Sequence, residues 1–158
     1  AREILLPRDC ALRLNLLDPS AAHLLPVGFP AQDFAGLLGA AATGRVGVIA
    51  IRVLAAGALS GTEARYPIAV PTVAPIATGP DYRADVGRAR RLQALVDEGY
   101  AESLVDAALR FALSVDAVST ILVGYSSLDH LEDAAASVAR GPLAPGALDR
   151  LAELWKTF

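Results

Sequence analysis

The residues best suited to chemistry lie in one short stretch, Val118–Ala136, VSTILVGYSSLDHLEDAAA. A short apolar run stops at Gly124. Small polar residues follow, Ser126 and Ser127 among them, and then an amphipathic pattern begins that carries His130 and Asp133. This order reads as a strand end, a tight loop and the first turn of a helix. The chemistry it suits is anion binding. The first N–H groups of a helix have no internal partner, and the helix dipole adds partial positive charge. Gly124 permits close approach of backbone to a ligand. The two serines add hydroxyl donors, and Ser127 is also placed to cap the helix. Ordinary loop and N-cap chemistry produces the same pattern, so both readings stand on these residues alone.

Other chemistries are weaker. Asp129 and His130 beside Ser126 and Ser127 invite a nucleophilic triad. No Gly-x-Ser-x-Gly elbow accompanies them, and His130 would point along a helix face. His23 and His130 are far apart and give no metal-ligand spacing, so no metal is expected. Cys10 is the sole cysteine and lies among apolar residues. It reads as an inert buried thiol, excludes an internal disulfide framework and fits a reducing, cytoplasmic setting.

The elements that must position these groups follow from periodicity. Leu12–Leu14 reads as a short strand running into a turn at Asp18-Pro19-Ser20. A helix is expected over about 31–43, with Phe34, Leu37, Leu38 and Ala41 on one face and Gly44 as its stop. Val46–Gly57 begins with a nearly continuous β-rich run, as in a strand covered on both faces of a parallel sheet. Residues 58–81 form a long loop with four prolines, the kind that is functional or poorly ordered. Helical patterns cover about 82–98 and 101–114. A strand at 118–123 precedes a helix at 128–139, whose Leu131, Ala134, Ala135 and Val138 align. A last helix, 145–157, starts with Pro145 and aligns Leu148, Leu151, Ala152 and Trp155. Strands separated by helices, with no hairpin signal, imply α/β with parallel strands. Three strands make a poor sheet alone, so the pattern predicts part of a larger parallel sheet or barrel.

Composition narrows the partners. The 158 residues suffice for one domain. They are 54% hydrophobic and 20% charged, with mean hydropathy +0.43, so much apolar surface must be buried in a core or an interface. No run reaches the roughly 20 apolar residues that span a bilayer. The net charge of −3 and pI near 5.3 argue against nucleic acid. The one basic cluster, Gly87–Arg91, is flanked by Asp81, Asp85, Asp97 and Glu98 and reads as a solvated helix face. The opening AREILL has no initiator and no N-cap, as if cut from inside a helix, which suggests a fragment of something longer.

Longer stretches carry a resemblance. ALRFALSVDAVSTILVGYSSLDHLEDAAASV followed by GPLAPGALDRLAELW, together with LNLLDPSA and GVIAIRVLAAGALSG, resembles the C-terminal segment of the aldo/keto reductases. The likeness runs over roughly residues 3–157, in the family's order. It implies a (β/α)8 barrel of the TIM type, of which residues 1–158 would supply only the C-terminal half, strands six to eight with their loops. It also implies NADP(H), or less often NAD(H), across the strands' C-terminal ends. The loop Arg52–Gly61 would pass the pyrophosphate through backbone of Leu54, Gly57 and Leu59. Gly124, Ser126 and Ser127 would hold the adenosine phosphate, and His130, Asp133 and Ala134 would flank adenine. Several positions depart from the family's pattern. Ala11 stands where many members have Gln, and Ile51-Arg52-Val53-Leu54 replaces Tyr-Ser-Pro-Leu. Arg52 introduces a cation that can pair with phosphate or simply lie on the surface. His130 replaces Gln or Arg, and Asp133-Ala134 replaces Glu-Asn.

The family's catalytic Asp, Tyr, Lys and His belong to the other half of the barrel, and none maps onto this chain. Its one lysine is Lys156. Two functions are therefore expected. One is the dinucleotide-binding part of an oxidoreductase acting on small carbonyls or alcohols, inactive alone. The other is a non-catalytic half-barrel that assembles through its open edges, as a homo-oligomer or by exchange of elements.

Overall fold

The computed structural model of the protein describes residues 9–69 and 80–158. Three strands, β1 (Asp9–Arg13), β2 (Gly47–Ile51) and β3 (Thr120–Ile121), form one parallel sheet in the order β1-β2-β3. Leu12 pairs with Ala50 and Ala50 with Ile121, so these three side chains share a face. Leu12, Val48 and Ala50 on that face are buried. The opposite face is not covered in the same way. Ala11 and Thr120 are exposed, and Leu122, just past β3, is 63% exposed. Burial on both faces, expected from the apolar runs, is met on one face only. β2 shows why: its burial alternates along the strand, as in a sheet backed by helices on one side.

The helices are α1 (Leu37–Thr43), α2 (Tyr82–Arg91), α3 (Ala94–Asp97), α4 (Leu104–Leu113), α5 (Leu128–Ala139) and α6 (Pro145–Trp155). The helix expected over 31–43 starts only at Leu37. Ala35 and Gly36 have φ of 50° and 66°, left-handed values that stop a helix from running through them. The region 82–98 divides at Leu92-Gln93 into α2 and α3. α4 and α5 begin on serine caps, where Ser103 Oγ accepts the Asp106 N–H at 3.0 Å and Ser127 Oγ that of His130 at 3.3 Å. The chain between β2 and the long loop makes two short 3-10 turns over 55–60 with a left-handed kink at Ala56 and Gly57 between them, and 61–69 follow as bends and a turn. Pro71 and Pro75 lie outside the described residues. No helix among the described residues is long and apolar enough to cross a membrane.

α4 is the most deeply buried helix, with Ala107, Ala108, Leu109, Phe111 and Ala112 all inaccessible. Phe111 meets Trp155 of α6 edge-on at 5.9 Å and stacks on His23 at 5.5 Å. Trp155 Nε1 donates to the Leu16 carbonyl at 2.9 Å, which ties the last helix to the chain leaving β1. The buried Asp106 accepts from Arg110 and Arg140 at 3.3 and 3.2 Å and from the Glu102 N–H. A buried carboxylate with this many donors is satisfied and fixes the α4–α5 junction.

The basic cluster of α2 is a solvated face in part: Gly87, Arg90 and Arg91 are exposed, whereas Arg88 is half-buried. Arg88 Nη2 donates to the Leu17 carbonyl at 3.0 Å, and its guanidinium lies over the rings of Phe29 and Phe158 at 5.9 and 5.2 Å. Arg90 donates to Gly61 O and Arg91 to Thr157 O. Of the sequence-local acids Asp85 lies 4.0 Å from Arg88 Nη1, and the further partners come from distant segments. α5 also departs from expectation. Only Ala134 and Ser137 are buried, whereas Leu131 and Val138 are 43% and 44% exposed.

His23 gives a pH prediction. Its Nε2 is buried without a partner, and burial between aromatic rings pushes its pKa below the ordinary 6.5. The unfolded chain therefore binds the proton first. The stability that neutral His23 contributes is full above pH ~6.5 and declines as pH falls from there toward the lower folded pKa. Denaturant midpoints should drop between pH 7 and 5, and His23→Phe, which keeps the ring packing, should flatten that part of the slope.

Candidate functional site

The C-terminal ends of β2 and β3 carry the candidate site. β2 ends at Ile51, and the next residues leave the sheet through a strained turn. Arg52, Ala55 and Ala56 have φ of 59°, 48° and 56°, followed by Gly57 at 99°. Glycine alone enters this region freely, and side chains with a Cβ meet the following carbonyl there. Such strain is held only when surroundings over-determine it, and it gathers at ligand sites. The surroundings are on view. Ala55 N–H donates to Arg52 O at 2.8 Å, and Gly57 and Leu59 N–H donate to Leu54 O at 2.8 and 3.3 Å. Arg65 Nη1 donates to Ala56 O at 3.1 Å while its guanidinium lies 5.0 Å over the Tyr82 ring. Glu63 sits 3.5 Å from Arg83 and 3.9 Å from Arg90, fastening the turn to α2.

The expected site residues fall into two groups. Arg52, Leu54, Gly57 and Leu59 make the turn. The Arg52 side chain is exposed, and among the described residues no hydrogen bond or ion pair occupies its guanidinium. Leu59 is fully buried, so only its backbone faces the loop. The Gly57 and Leu59 amides are already engaged by Leu54 O. Gly57 must be glycine on two counts, its φ and a Cβ that would come 3.2 Å from Tyr82 Oη.

Gly124, Ser126, Ser127 and His130 make the second group, at the start of α5. Nothing lies within 4 Å of a Cβ built on Gly124, so the space beside it is open. Ser127 caps α5, as its position before an apolar-periodic run foretold. The Ser126 N–H donates to His130 Nδ1 at 3.4 Å, which turns the imidazole back over the loop. Asp133 is exposed one turn further along.

Tyr66 joins the two groups. Its ring meets His130 edge-on at 5.4 Å, so the loop after β2 reaches the first turn of α5. An exposed aromatic in a proline-rich loop was the only sign of Tyr66 in the sequence. Asn15, which reaches Arg52 O from the end of β1 at 3.3 Å, was also missed. The open space at Gly124, the uncommitted Arg52 guanidinium and the helix start fit a phosphate-bearing ligand. Asp129 in the first turn adds a negative charge that such a ligand must avoid. No group of three His, Cys, Asp or Glu among the described residues is placed to hold a metal. Lys156 lies elsewhere, paired with Glu153 beside a crevice of about 330 Å³ that His23 and Trp155 also line.

The fold and this site define an α/β protein with its candidate ligand groups at the C-terminal edge of parallel strands. The aldo/keto reductase family model matches residues 32–156, more than half of the chain. The chain belongs to the aldo/keto reductase family. Among curated proteins none matches it. The holo and apo forms of aldo-keto reductase AKR11C1 from Bacillus halodurans superpose on it with a TM-score of 0.60, at 17% and 18% identity. Each is matched over 92% of this chain and 42% of its own length. The chain thus spans less than half the length of these solved structures. The likeness shows the fold, a partial barrel of the (β/α)8 type.

The strained turn yields a prediction. Ala56→Gly removes a left-handed Cβ clash and should raise stability by about 1 kcal/mol, read as a higher urea midpoint. Gly57→Ala should lower it, since the new Cβ meets both an unfavourable φ and Tyr82 Oη.

Proposed function

We propose that the chain is the dinucleotide-binding part of an NAD(P)H-dependent oxidoreductase that interconverts carbonyls and alcohols in the cytoplasm. It would form the C-terminal half of one barrel domain. The observation that supports this most is the meeting, at one sheet edge, of the strained Arg52–Gly57 turn and the capped start of α5. In this reading Arg52 pairs with the cofactor's diphosphate and the Leu54–Leu59 backbone lines its path. Gly124, Ser126 and Ser127 receive the adenosine phosphate, and His130 and Asp133 lie beside adenine. The cofactor would supply the hydride. The family's Asp, Tyr, Lys and His would come from the other half, so this chain alone should not reduce substrate.

Calorimetric titration with NADPH and with NADH tests the reading. Saturable binding is expected, with Arg52→Ala weakening it about tenfold or more through loss of a charge-assisted contact. Absence of binding by either cofactor would overturn it, as would steady reduction of aldehydes by the 158-residue chain overturn the assignment of the catalyst to the missing half.

A second reading, a non-catalytic assembly module, has its own support. Leu128, Leu131, Ala135 and Val138 of α5 are exposed at helical spacing, beside the open edge of β3. Sedimentation should then show a dimer, with Leu131→Glu shifting it to monomer. A monomer at all concentrations, unchanged by that substitution, would remove this reading.

A further inference from the structure

We propose that Asn15 is a positioning residue whose side-chain amide holds Arg52 in its left-handed conformation, and with it the turn Arg52–Gly57. The importance of that turn rests on the ligand role proposed above; the mechanical role of Asn15 does not. Asn15 is fully buried at the end of β1. Its Oδ1 accepts the N–H groups of Leu17 and Asp18 at 2.9 and 3.0 Å, which fixes the rotation of the side-chain amide. The other end of the amide then has one direction left, and there Nδ2 meets the Arg52 carbonyl at 3.3 Å. The Asn15 backbone is fixed as well, by a bridge to Asp18.

The chain leaving β1 thus grips both peptides that bracket Arg52. Leu14 N–H donates to Ile51 O at 3.3 Å, and Asn15 Nδ2 takes Arg52 O. Arg52 O also accepts the Ala55 N–H, the first bond of the strained turn. Rotation of Arg52 to an ordinary φ would swing this carbonyl away. It would orphan a buried Asn15 donor and release Ala55 together. Few side chains can do this. Aspartate keeps the two acceptor bonds but has no donor for Arg52, and serine is too short to serve both sides. The arrangement converts one buried amide into control over the direction in which the exposed Arg52 guanidinium leaves the sheet.

Amide hydrogen exchange tests it. In Asn15→Asp, protection at Ala55 and Gly57 should fall about tenfold, while Leu109 and Phe111 in α4 stay unchanged. Adding Arg52→Gly should restore protection, because glycine takes φ near 60° unaided. A general packing role for Asn15 would not be rescued this way. Unchanged protection in Asn15→Asp, or loss that Arg52→Gly fails to repair, overturns the proposal. The unsubstituted protein supplies a separate arm should the variant not fold. The Asn15 side-chain N–H facing Arg52 should exchange in step with the Ala55 amide, and exchange at the rate of a free asparagine overturns the proposal. Titration with NADPH distinguishes the two layers. If the unsubstituted protein binds no dinucleotide, the ligand reading fails while the exchange results still decide the role of Asn15. If it binds, Asn15→Asp should raise the Kd about tenfold, and an unchanged Kd would show that the lock does not serve the ligand.

Discussion

The described sheet depends on β2, the one strand with hydrogen-bonded neighbours on both sides. Its carbonyls at Val48, Ala50 and Ile51 receive the N–H groups of Ser119, Leu122 and Leu14. Ser119 adds a second hook, its Oγ accepting the Val48 N–H at 3.1 Å. Three segments far apart in the chain are thereby set to a common register, since a slip of one residue would turn Leu12, Ala50 and Ile121 out of the core. The same register decides the site. Once Ile51 is placed, Arg52 must emerge beside the end of β3, and Gly124 follows three residues after Ile121 with α5 beginning four residues later. Parallel strands deliver their loops to one edge, and ligand groups gather there because helix N-termini arrive at the same edge.

What the sequence revealed and what it hid divide along sequence distance. The α5 start was legible because its signals are local: Ser127 directly precedes a periodic run, and the cap forms within four residues. The strand cores were legible for the same reason. α1 was read too long because Phe34 continues the period, while the left-handed Ala35 and Gly36 leave no compositional trace at the alanine. The half-buried place of Arg88 in the basic cluster of α2 was not legible, because beyond Asp85 its partners are Leu17 and two phenylalanines far along the chain. In the site, Ser127 and Gly57 could be picked out. The contacts of Asn15 with Arg52 and of Tyr66 with His130 could not, for each joins residues of different elements and neither pair has a pattern of its own.

Buried polar groups near the site show a related economy. Ser20 Oγ lies 2.8 Å from Asp18 Oδ1 and 2.9 Å from the Gln32 carbonyl, and it accepts the Phe34 N–H. One hydroxyl thus ties the Asp18 side chain to the backbone of the segment leading into α1. Burial pushes the Asp18 pKa up, against the opposing pull of Ser20, Arg13 and Arg88. The turn carrying Asn15 is therefore held at its centre by side-chain-to-backbone hydrogen bonds, with Arg13 Nε 3.9 Å from Asp18 Oδ2.

The uneven burial of α5 bears on how the two functional readings relate. Its small residues, Ala134 and Ser137, are the buried ones, while Leu128, Leu131 and Val138 are exposed. Solvent alone does not favour large apolar side chains at helical spacing, because their burial elsewhere would be worth about 1.5–3 kcal/mol each. Leu122 repeats the pattern on the sheet's uncovered face. A neighbour that completed the barrel would pair with the free edge of β3 and cover that face. The first turn of α5 carries His130 of the candidate site and the same helix carries the exposed stripe, so the two proposed uses share one helix rather than exclude each other.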